Sequence, residues 1–267
     1  MTGNLTRALA IIELLAKHGG RMQLAAIADT LDIPRSGTHR LLSMLIGEGY
    51  VRQDEEHGEY RLALKLVSLA LTHLSTGGIL DVSQPVLDRL AAASGELARL
   101  GVVEGDHLTF VAKAQGARSG LRYDPDMGSQ PPLYCTANGQ AWLASLSDEE
   151  ALVRAGGLGK AGQGGPNAPR SIAQLLQDLQ TTRLRGYSIA IETHEAGMTA
   201  MAASIRHAVT RDVVGVVSIA GPTSRLSERR LEALAPALLE AASDMSAATL
   251  NSPFLKRSPG ARAPAVI

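Results

Sequence analysis

The sequence has little cysteine, few aromatic residues and no net charge. One cysteine, Cys135, occurs in 267 residues, which excludes an internal disulfide framework and a zinc site built from several cysteines. Lysine plus arginine equals aspartate plus glutamate at 26 each, so any DNA-binding charge must be local. Aromatic residues make up 3%, so we expect aliphatic side chains and alanine to fill the cores.

Long apolar segments are also missing. The sequence shows no N-terminal apolar signal region, and no run approaches the roughly 20 apolar residues of a membrane span. We therefore expect a cytoplasmic protein without membrane contact. The 267 residues fit two modest domains, and a hydrophobic fraction of 45% is enough to build their cores.

The N-terminal part changes from a helical to a strand pattern. Apolar residues recur at helical spacing within residues 5–18, 24–31 and 35–47. Two short β-like runs then flank a polar turn at residues 55–58. Three helices followed by a hairpin predict a winged helix-turn-helix over residues 1–62, and the next amphipathic stretch predicts a linker helix and hinge over residues 63–78.

The third helix would read DNA, because a helix-turn-helix places the start of its second helix in the major groove. The residues predicted to reach bases or phosphates there are Arg35, Ser36, Gly37, Thr38, His39 and Arg40. Arginine pairs with guanine, and serine and threonine reach base edges or phosphate. Any one of these residues alone is compatible with an ordinary surface helix, and the order of elements favours DNA binding.

The hairpin offers further basic candidates. Arg52 and Arg61 could contact phosphate or enter the minor groove, although the acidic residues around them equally suit a solvated hairpin. Arg7 and Arg21, near the starts of the first two helices, are weaker phosphate candidates. Whether the wing touches DNA stays open at this point.

Residues 79–250 alternate strands and helices. A hairpin is expected at residues 97–112, helices at 79–94, 136–146, 172–184 and 227–249, and a β-branched core strand at 213–220. The whole chain is therefore expected to be of the α+β class. Residues 251–267, which contain proline, alanine and arginine, are expected to form a disordered tail.

Several ordered motifs resemble the IclR family of bacterial transcriptional regulators. The motif IPRSGTHRLL at residues 33–42 resembles that family's recognition helix, and EGYVR at residues 48–52 resembles its wing. PLYCTANGQA at residues 132–141 and SIAGP at residues 218–222 resemble signatures of its C-terminal half. The resemblance implies a GAF-like α/β effector-binding domain with a curved antiparallel sheet, joined by the linker helix to the winged helix. It also implies a homodimer or tetramer, operator DNA as a partner and a small-molecule carboxylate as effector.

Departures from the family pattern concern the implied pocket. Alanine stands at Ala190, Ala200 and Ala220, where the family places polar groups, while Ser218 keeps a hydroxyl. A pocket lined by methyl groups is wider and more apolar, so we expect an aromatic acid or its derivative rather than a two- or three-carbon keto acid. In addition, Gln23 and Ala26 replace the usual capping box of the second helix, which should be capped less firmly.

The candidate effector residues combine an anion site with apolar walls. Small residues would open a helix whose free N–H groups attract a carboxylate, with Arg99 or Arg122 as a second partner. Tyr134 and Met198 would supply apolar walls, although such residues are more often plain core. The full candidate set is Arg99, Arg122, Tyr134, Thr136, Ala137, Asn138, Gly139, Ala190, Met198, Ala200, Ser218 and Ala220.

Two other functions compete with this interpretation. An enzyme with a DNA-binding appendage would need a catalytic set, and the sequence offers none, because Cys135 has no identifiable base and His194 lacks a metal-binding motif. An architectural DNA-binding protein would have a filled C-terminal core without a pocket. We expect no catalytic residues, no cofactor and no metal.

Overall fold

The computed structural model describes residues 3–19, 21–54, 56–76, 78–125, 127–158 and 164–250. The chain divides into two compact units, residues 1–74 and 75–267. The tail expected at residues 251–267 lies outside the described residues.

Within the described residues, the first unit contains the three helices and the hairpin that the sequence predicts, followed by a fourth helix. Its helices are α1 (Asn4–Lys17), α2 (Leu24–Leu31), α3 (Arg35–Gly47) and α4 (Leu64–Thr76), and its strands are β1 (Val51–Gln53) and β2 (Tyr60–Leu62). The strands pair antiparallel, and Met22 forms a bridge to Tyr60, which ties the start of α2 to the hairpin. This order is that of a winged helix.

The junction between α2 and α3 fixes the position of the third helix. Asp32 adopts a left-handed conformation with φ of 50°, which ends α2. Pro34 then occupies the N-cap position of α3. Gln23 at the start of α2 makes no side-chain capping bond, as its departure from the capping box predicts. Ile27, Ile33, Leu41 and Leu42 bury their side chains together and fix α3 against α2.

The second unit contains five strands and five helices within the described residues. The strands are β3 (Leu97–Glu104), β4 (His107–Gln115), β5 (Ser188–Ile191), β6 (Met198–Arg206) and β7 (Val213–Pro222). The helices are α5 (Ile79–Ser94), α6 (Ala137–Leu143), α7 (Asp148–Ala155), α8 (Ile172–Arg185) and α9 (Glu228–Ala248).

The five strands form one antiparallel sheet in the order β4-β3-β7-β6-β5. All ten residues of β7 are buried, because helices cover both faces of this central strand. Helices α5 and α9 pack on one face, and α6 packs on the other against β5, β6 and β7. The fold is of the α+β class, as expected, and α6 brings its N-terminal end to the sheet.

The sequence pattern missed three elements of this unit. It left out α7, β5 and β6, and it extended α6 three residues too far at its C-terminal end. The strand β5 has only four residues, and β6 is rich in alanine, so neither shows the β-branched pattern by which a strand is recognised.

Among the described residues, no single helix is long and apolar enough to cross a membrane. Leu64–Thr76 and Asp81–Ser94 reach the required length and composition only when the two helices are taken together.

Candidate functional site

The outer face of α3 presents polar and basic side chains. Arg35, Ser36, His39 and Arg40 are exposed, and Gly37 is half-buried. No acidic side chain within the described residues pairs with Arg35 or Arg40. Two arginines without acidic partners on one helix face make a local basic surface in a chain without net charge.

Thr38 does not belong to this surface, which corrects the prediction from sequence. Its side chain is fully buried, and its hydroxyl donates to the backbone oxygen of Pro34 at 3.3 Å. The physical reason is helical spacing, because Thr38 falls on the same face of α3 as Leu41, Leu42 and Leu45. Thr38 holds the helix start instead of reaching DNA.

The hairpin carries a pair of facing arginines. Arg52 and Arg61 are directly opposite each other in the β1–β2 register, and both are exposed. Like charges at such positions repel each other and destabilise a free hairpin. Arg21 is exposed beside the hairpin, next to the Met22 bridge, whereas Arg7 is half-buried on α1.

A cavity of about 270 Å³ opens between the sheet, the start of α6 and the segment after β4. Eight of the residues predicted for the effector line it: Arg99, Thr136, Ala137, Asn138, Ala190, Met198, Ala200 and Ala220. Ala190, Ala200 and Ala220 are direct neighbours in the register of β5, β6 and β7. Their methyl groups form one continuous apolar strip on the cavity floor.

Arg99 is a buried charged group of this cavity, whose lining also includes the exposed carboxylate of Glu195. Arg99 is 6% exposed on β3, and its guanidinium lies 3.7 Å from the centre of the Phe110 ring. Among the described residues no carboxylate forms an ion pair with it, and its Nε has no hydrogen-bond partner. Because burial leaves the Arg99 guanidinium poorly solvated, it lowers the pKa of this group below its ordinary value.

The segment after β4 forms the outer wall of the cavity. Tyr123 lies 5.8 Å from the Arg99 guanidinium, measured to the ring centre, and burial raises the pKa of its hydroxyl. Gln115 donates to the backbone oxygen of Tyr123 at 3.1 Å, and Arg225 donates to that of Leu121 at 2.9 Å. These two bonds tie the wall to the sheet side of the unit.

The N-terminal end of α6 is tightly built. Thr136 caps the helix by accepting a hydrogen bond from the Gly139 N–H at 3.1 Å and donates to Pro132 at 2.7 Å. A Cβ at Gly139 would meet the Leu133 backbone oxygen at 2.2 Å, so this glycine is required for close packing. The helix has only seven residues, and its Gly139 N–H is already paired. The end of α6 therefore has fewer free N–H groups than the sequence led us to expect, whereas the Nε of Arg99 has no partner among the described residues.

Four predicted residues do not line the cavity. Arg122 is exposed, and its guanidinium donates to the backbone oxygen of Arg118 at 3.3 Å, because the chain turns Tyr123 inward in its place. Tyr134 and Ser218 are buried in the core, and Gly139 packs against the backbone of Leu133. The alternative considered for small residues at the helix start, close packing, is what the structure shows for Gly139.

Cys135 has a neighbour that the sequence did not reveal. Its Sγ lies 3.8 Å from Nδ1 of His194, which is 59 residues later in the chain. Burial raises the pKa of the Cys135 thiol and lowers that of the His194 imidazole, and both shifts favour the neutral forms. Both directions oppose the thiolate–imidazolium pair of a nucleophilic cysteine site.

The comparisons with known proteins agree with both units. The IclR helix-turn-helix domain matches residues 4–55, and the C-terminal domain of the bacterial transcriptional regulator IclR matches residues 71–247. The transcriptional repressor AllR of Escherichia coli K12 is 31% identical over 246 residues, which are 91% of this chain and 89% of AllR.

The chain belongs to the IclR family of bacterial transcriptional regulators. It is a transcriptional regulator with a helix-turn-helix DNA-binding domain and an IclR effector domain, and it is not an enzyme. The resemblance noted in the sequence is thereby confirmed.

Solved IclR structures share the fold. A regulator from Alicyclobacillus acidocaldarius has a TM-score of 0.80 and 24% identity, with 92% of this chain and 98% of that chain covered. An IclR homologue from Microbacterium hydrocarbonoxydans, complexed with 4-hydroxybenzoate, has a TM-score of 0.74 and 22% identity, with 92% and 100% covered.

Sequence reasoning missed several residues that line the cavity. They are Phe110, Tyr123, Pro125, Thr193, His194 and Thr199. The register of the predicted hairpin could have found Phe110, because it pairs with Gly101, two residues from Arg99. Tyr123 lies in an irregular segment without periodicity, so no sequence pattern pointed to it.

Proposed function

We propose that this regulator binds an aromatic carboxylic acid in the cavity beside Arg99 and that this binding changes its affinity for operator DNA. The observation that carries the proposal is the buried Arg99 cation without a carboxylate partner among the described residues. A buried cation loses its hydration, and a ligand carboxylate compensates for that loss by accepting charge-assisted hydrogen bonds.

The walls of the cavity favour an aromatic ring over a short polar chain. The methyl groups of Ala190, Ala200 and Ala220 and the ring of Phe110 face the space next to Arg99. Burying apolar surface is worth roughly 25 cal/mol per Å², and a keto acid of two or three carbons would leave most of these walls uncovered. The volume of about 270 Å³ lies near the lower end of ligand sites, roughly 300 Å³, which suits a single ring.

A structural relative is consistent with this choice. The Microbacterium hydrocarbonoxydans homologue was crystallised with 4-hydroxybenzoate, an aromatic carboxylate, and it shares the fold of this chain at 22% identity. The identity is too low to transfer the ligand, so the argument rests on the cavity of this protein.

Calorimetric titration of the full-length protein tests the proposed effector class. We expect benzoate-like acids to bind measurably and glyoxylate and pyruvate to bind at least about tenfold more weakly, because they cover less apolar surface. Benzamide serves as the matched neutral control, since it keeps the ring and removes the charge. Tight binding of glyoxylate or pyruvate without any response to benzoate would contradict the proposal.

We further propose that a homodimer presents two winged helices to a pseudo-palindromic operator in the cytoplasm. A symmetric dimer reads symmetric half-sites. Helix α4 has no buried residue, and it exposes Leu64, Val67 and Leu71 along one side. Such an apolar stripe on a helix is expected to pack against a second copy of the chain, because water-exposed apolar surface favours association.

The exposed face of α3 and the wing are expected to contribute differently to operator binding. Arg35→Ala should cost about 1–3 kcal/mol and relax specificity at one base pair, because Arg35 is the exposed arginine of α3 that is expected to read a base. Arg61→Ala should instead weaken binding to all sequences and reduce the slope of affinity against salt by about one, as loss of a phosphate contact does. Selection of binding sites measures the change in specificity, and anisotropy titration at several salt concentrations measures the affinity and its dependence on salt. Arg118→Ala, an exposed arginine of the second unit, is the control. Unchanged affinity and specificity in both variants would refute this placement.

A further inference from the structure

The side chain of Asn138 has an oxygen for which the described part of the chain offers no hydrogen-bond donor. Asn138 is the second residue of α6, lines the cavity and is 2% exposed. Its Oδ1 is buried and accepts no hydrogen bond. Buried acceptors are nearly always paired, because an unpaired one loses its water without replacement. An asparagine at this place therefore points to a donor that arrives with a ligand.

The surroundings of Asn138 include further unpaired polar atoms. Ser218 is directly opposite Arg99 in the register of β7 and β3, so both side chains lie on one face of the sheet. Ser188 belongs to the same row and donates to the backbone oxygen of Ala137, which places α6 over this face. The Oγ of Ser218 and the Nε of Arg99 also lack partners among the described residues. Unpaired polar atoms thus gather where the start of α6 covers the sheet.

We infer that the effector carries, besides its carboxylate, a hydrogen-bond donor that the Oδ1 of Asn138 accepts. The ligand class is then an aromatic acid substituted with a hydroxyl or amino group, and Asn138 is the residue that selects it. This inference rests on the proposed function, since it assumes that Arg99 holds the carboxylate in the same cavity.

The selection has a simple physical basis. Arg99 binds every carboxylate of suitable size and does not distinguish a substituted from an unsubstituted ring. An unsubstituted ring leaves the Asn138 oxygen buried and unpaired, whereas a ring with a correctly placed donor satisfies it. A site that hydrogen-bonds a hydroxyl discriminates against the analogue without it, because its own polar group then remains unpaired.

Calorimetric titration with benzoate and its three monohydroxy isomers tests the inference. In the wild-type chain at least one isomer should bind about tenfold or more tightly than benzoate, which corresponds to roughly 1.4 kcal/mol. Asn138→Ala should bring that ratio close to one, because the hydroxylated isomer loses its acceptor and benzoate never used it. Asn138→Leu, which is similar in size, answers the same question if the alanine variant unfolds on heating far earlier than the wild type.

The possible results distinguish the selective role of Asn138 from the proposed effector class on which it rests. Equal binding of benzoate and all three isomers, or a ratio that Asn138→Ala and Asn138→Leu leave unchanged, overturns the role of Asn138 while the proposed effector class stands. Failure of all four acids to bind overturns both. Loss of benzoate binding together with the ratio in Asn138→Ala also overturns the selective role, because it shows a general effect on the cavity.

Discussion

Replacement of Arg99 by methionine is expected to weaken the binding of aromatic carboxylates at least about 30-fold. Removing one partner of a buried, hydrogen-bonded charge pair costs about 2–5 kcal/mol, and 2 kcal/mol corresponds to roughly that factor. Methionine fills a similar volume against Phe110 but offers no donor, so the ligand carboxylate would enter an apolar space without a counter-charge.

The same substitution should leave the ligand-free protein as stable as before, or make it more stable. Arg99 is 6% exposed, and burial lowers the pKa of its guanidinium, so the free protein carries the cost of a poorly solvated charge. An apolar side chain of similar size removes that cost. Loss of ligand binding combined with an unchanged or raised Tm is the signature of a residue kept for binding rather than for folding.

Titration calorimetry and thermal unfolding of the full-length variants measure these two effects. Arg122→Met is the matched control, because Arg122 is the other arginine near the cavity but is exposed and does not line it. Its ligand affinity should stay within about twofold of the wild type. If Arg99→Met and Arg122→Met bind benzoate equally well, Arg99 does not hold the carboxylate.

A charge in the apolar stripe of α4 is expected to abolish the dimer and to lower operator affinity about 1,000-fold. Val67 is 52% exposed, so Val67→Glu should not disturb the core of the first unit. In the proposed dimer, however, the glutamate would bury an unpaired carboxylate at the interface, which opposes association. A monomer reads one half-site, and its affinity falls toward that of non-specific binding, which is typically about 1,000-fold weaker or more.

Leu69→Glu provides the matched control for this prediction. Leu69 is 50% exposed, nearly the same as Val67, but it lies about 140° around the helix from Leu64, at roughly 100° per residue. Light scattering and anisotropy titration with a selected operator should show a dimer and near-normal affinity for Leu69→Glu, and a monomer with weak affinity for Val67→Glu. A wild-type chain that remains monomeric with and without operator would overturn the dimer itself.

The elements with strong periodicity were predictable from sequence. The helices of the first unit, the β3–β4 hairpin, α8, β7 and α9 all combine a clear apolar period with a recognisable start or end. The short strand β5 and the alanine-rich β6 were not, because their sequences carry little intrinsic preference. The strand β6 pairs with β7, and β5 pairs with β6, so both depend on a neighbour in the sheet. Thr38 shows that residue type alone can mislead. A threonine can contact DNA, but the position of Thr38 on the helix places its side chain in the core.

The sequence by itself determined the two-unit organisation and the polar face of α3, because these depend on local periodicity. The three alanines of the cavity floor were implied by the resemblance to the IclR family, and the sheet register makes them neighbours. Only the tertiary structure decided which polar groups meet. It turned Tyr123 rather than Arg122 toward Arg99, placed His194 beside Cys135, and left Asn138 Oδ1 without a donor from the described residues. These relations join residues tens of positions apart, and they arise from the packing of α6 and the segment after β4 on the sheet, which no local pattern encodes.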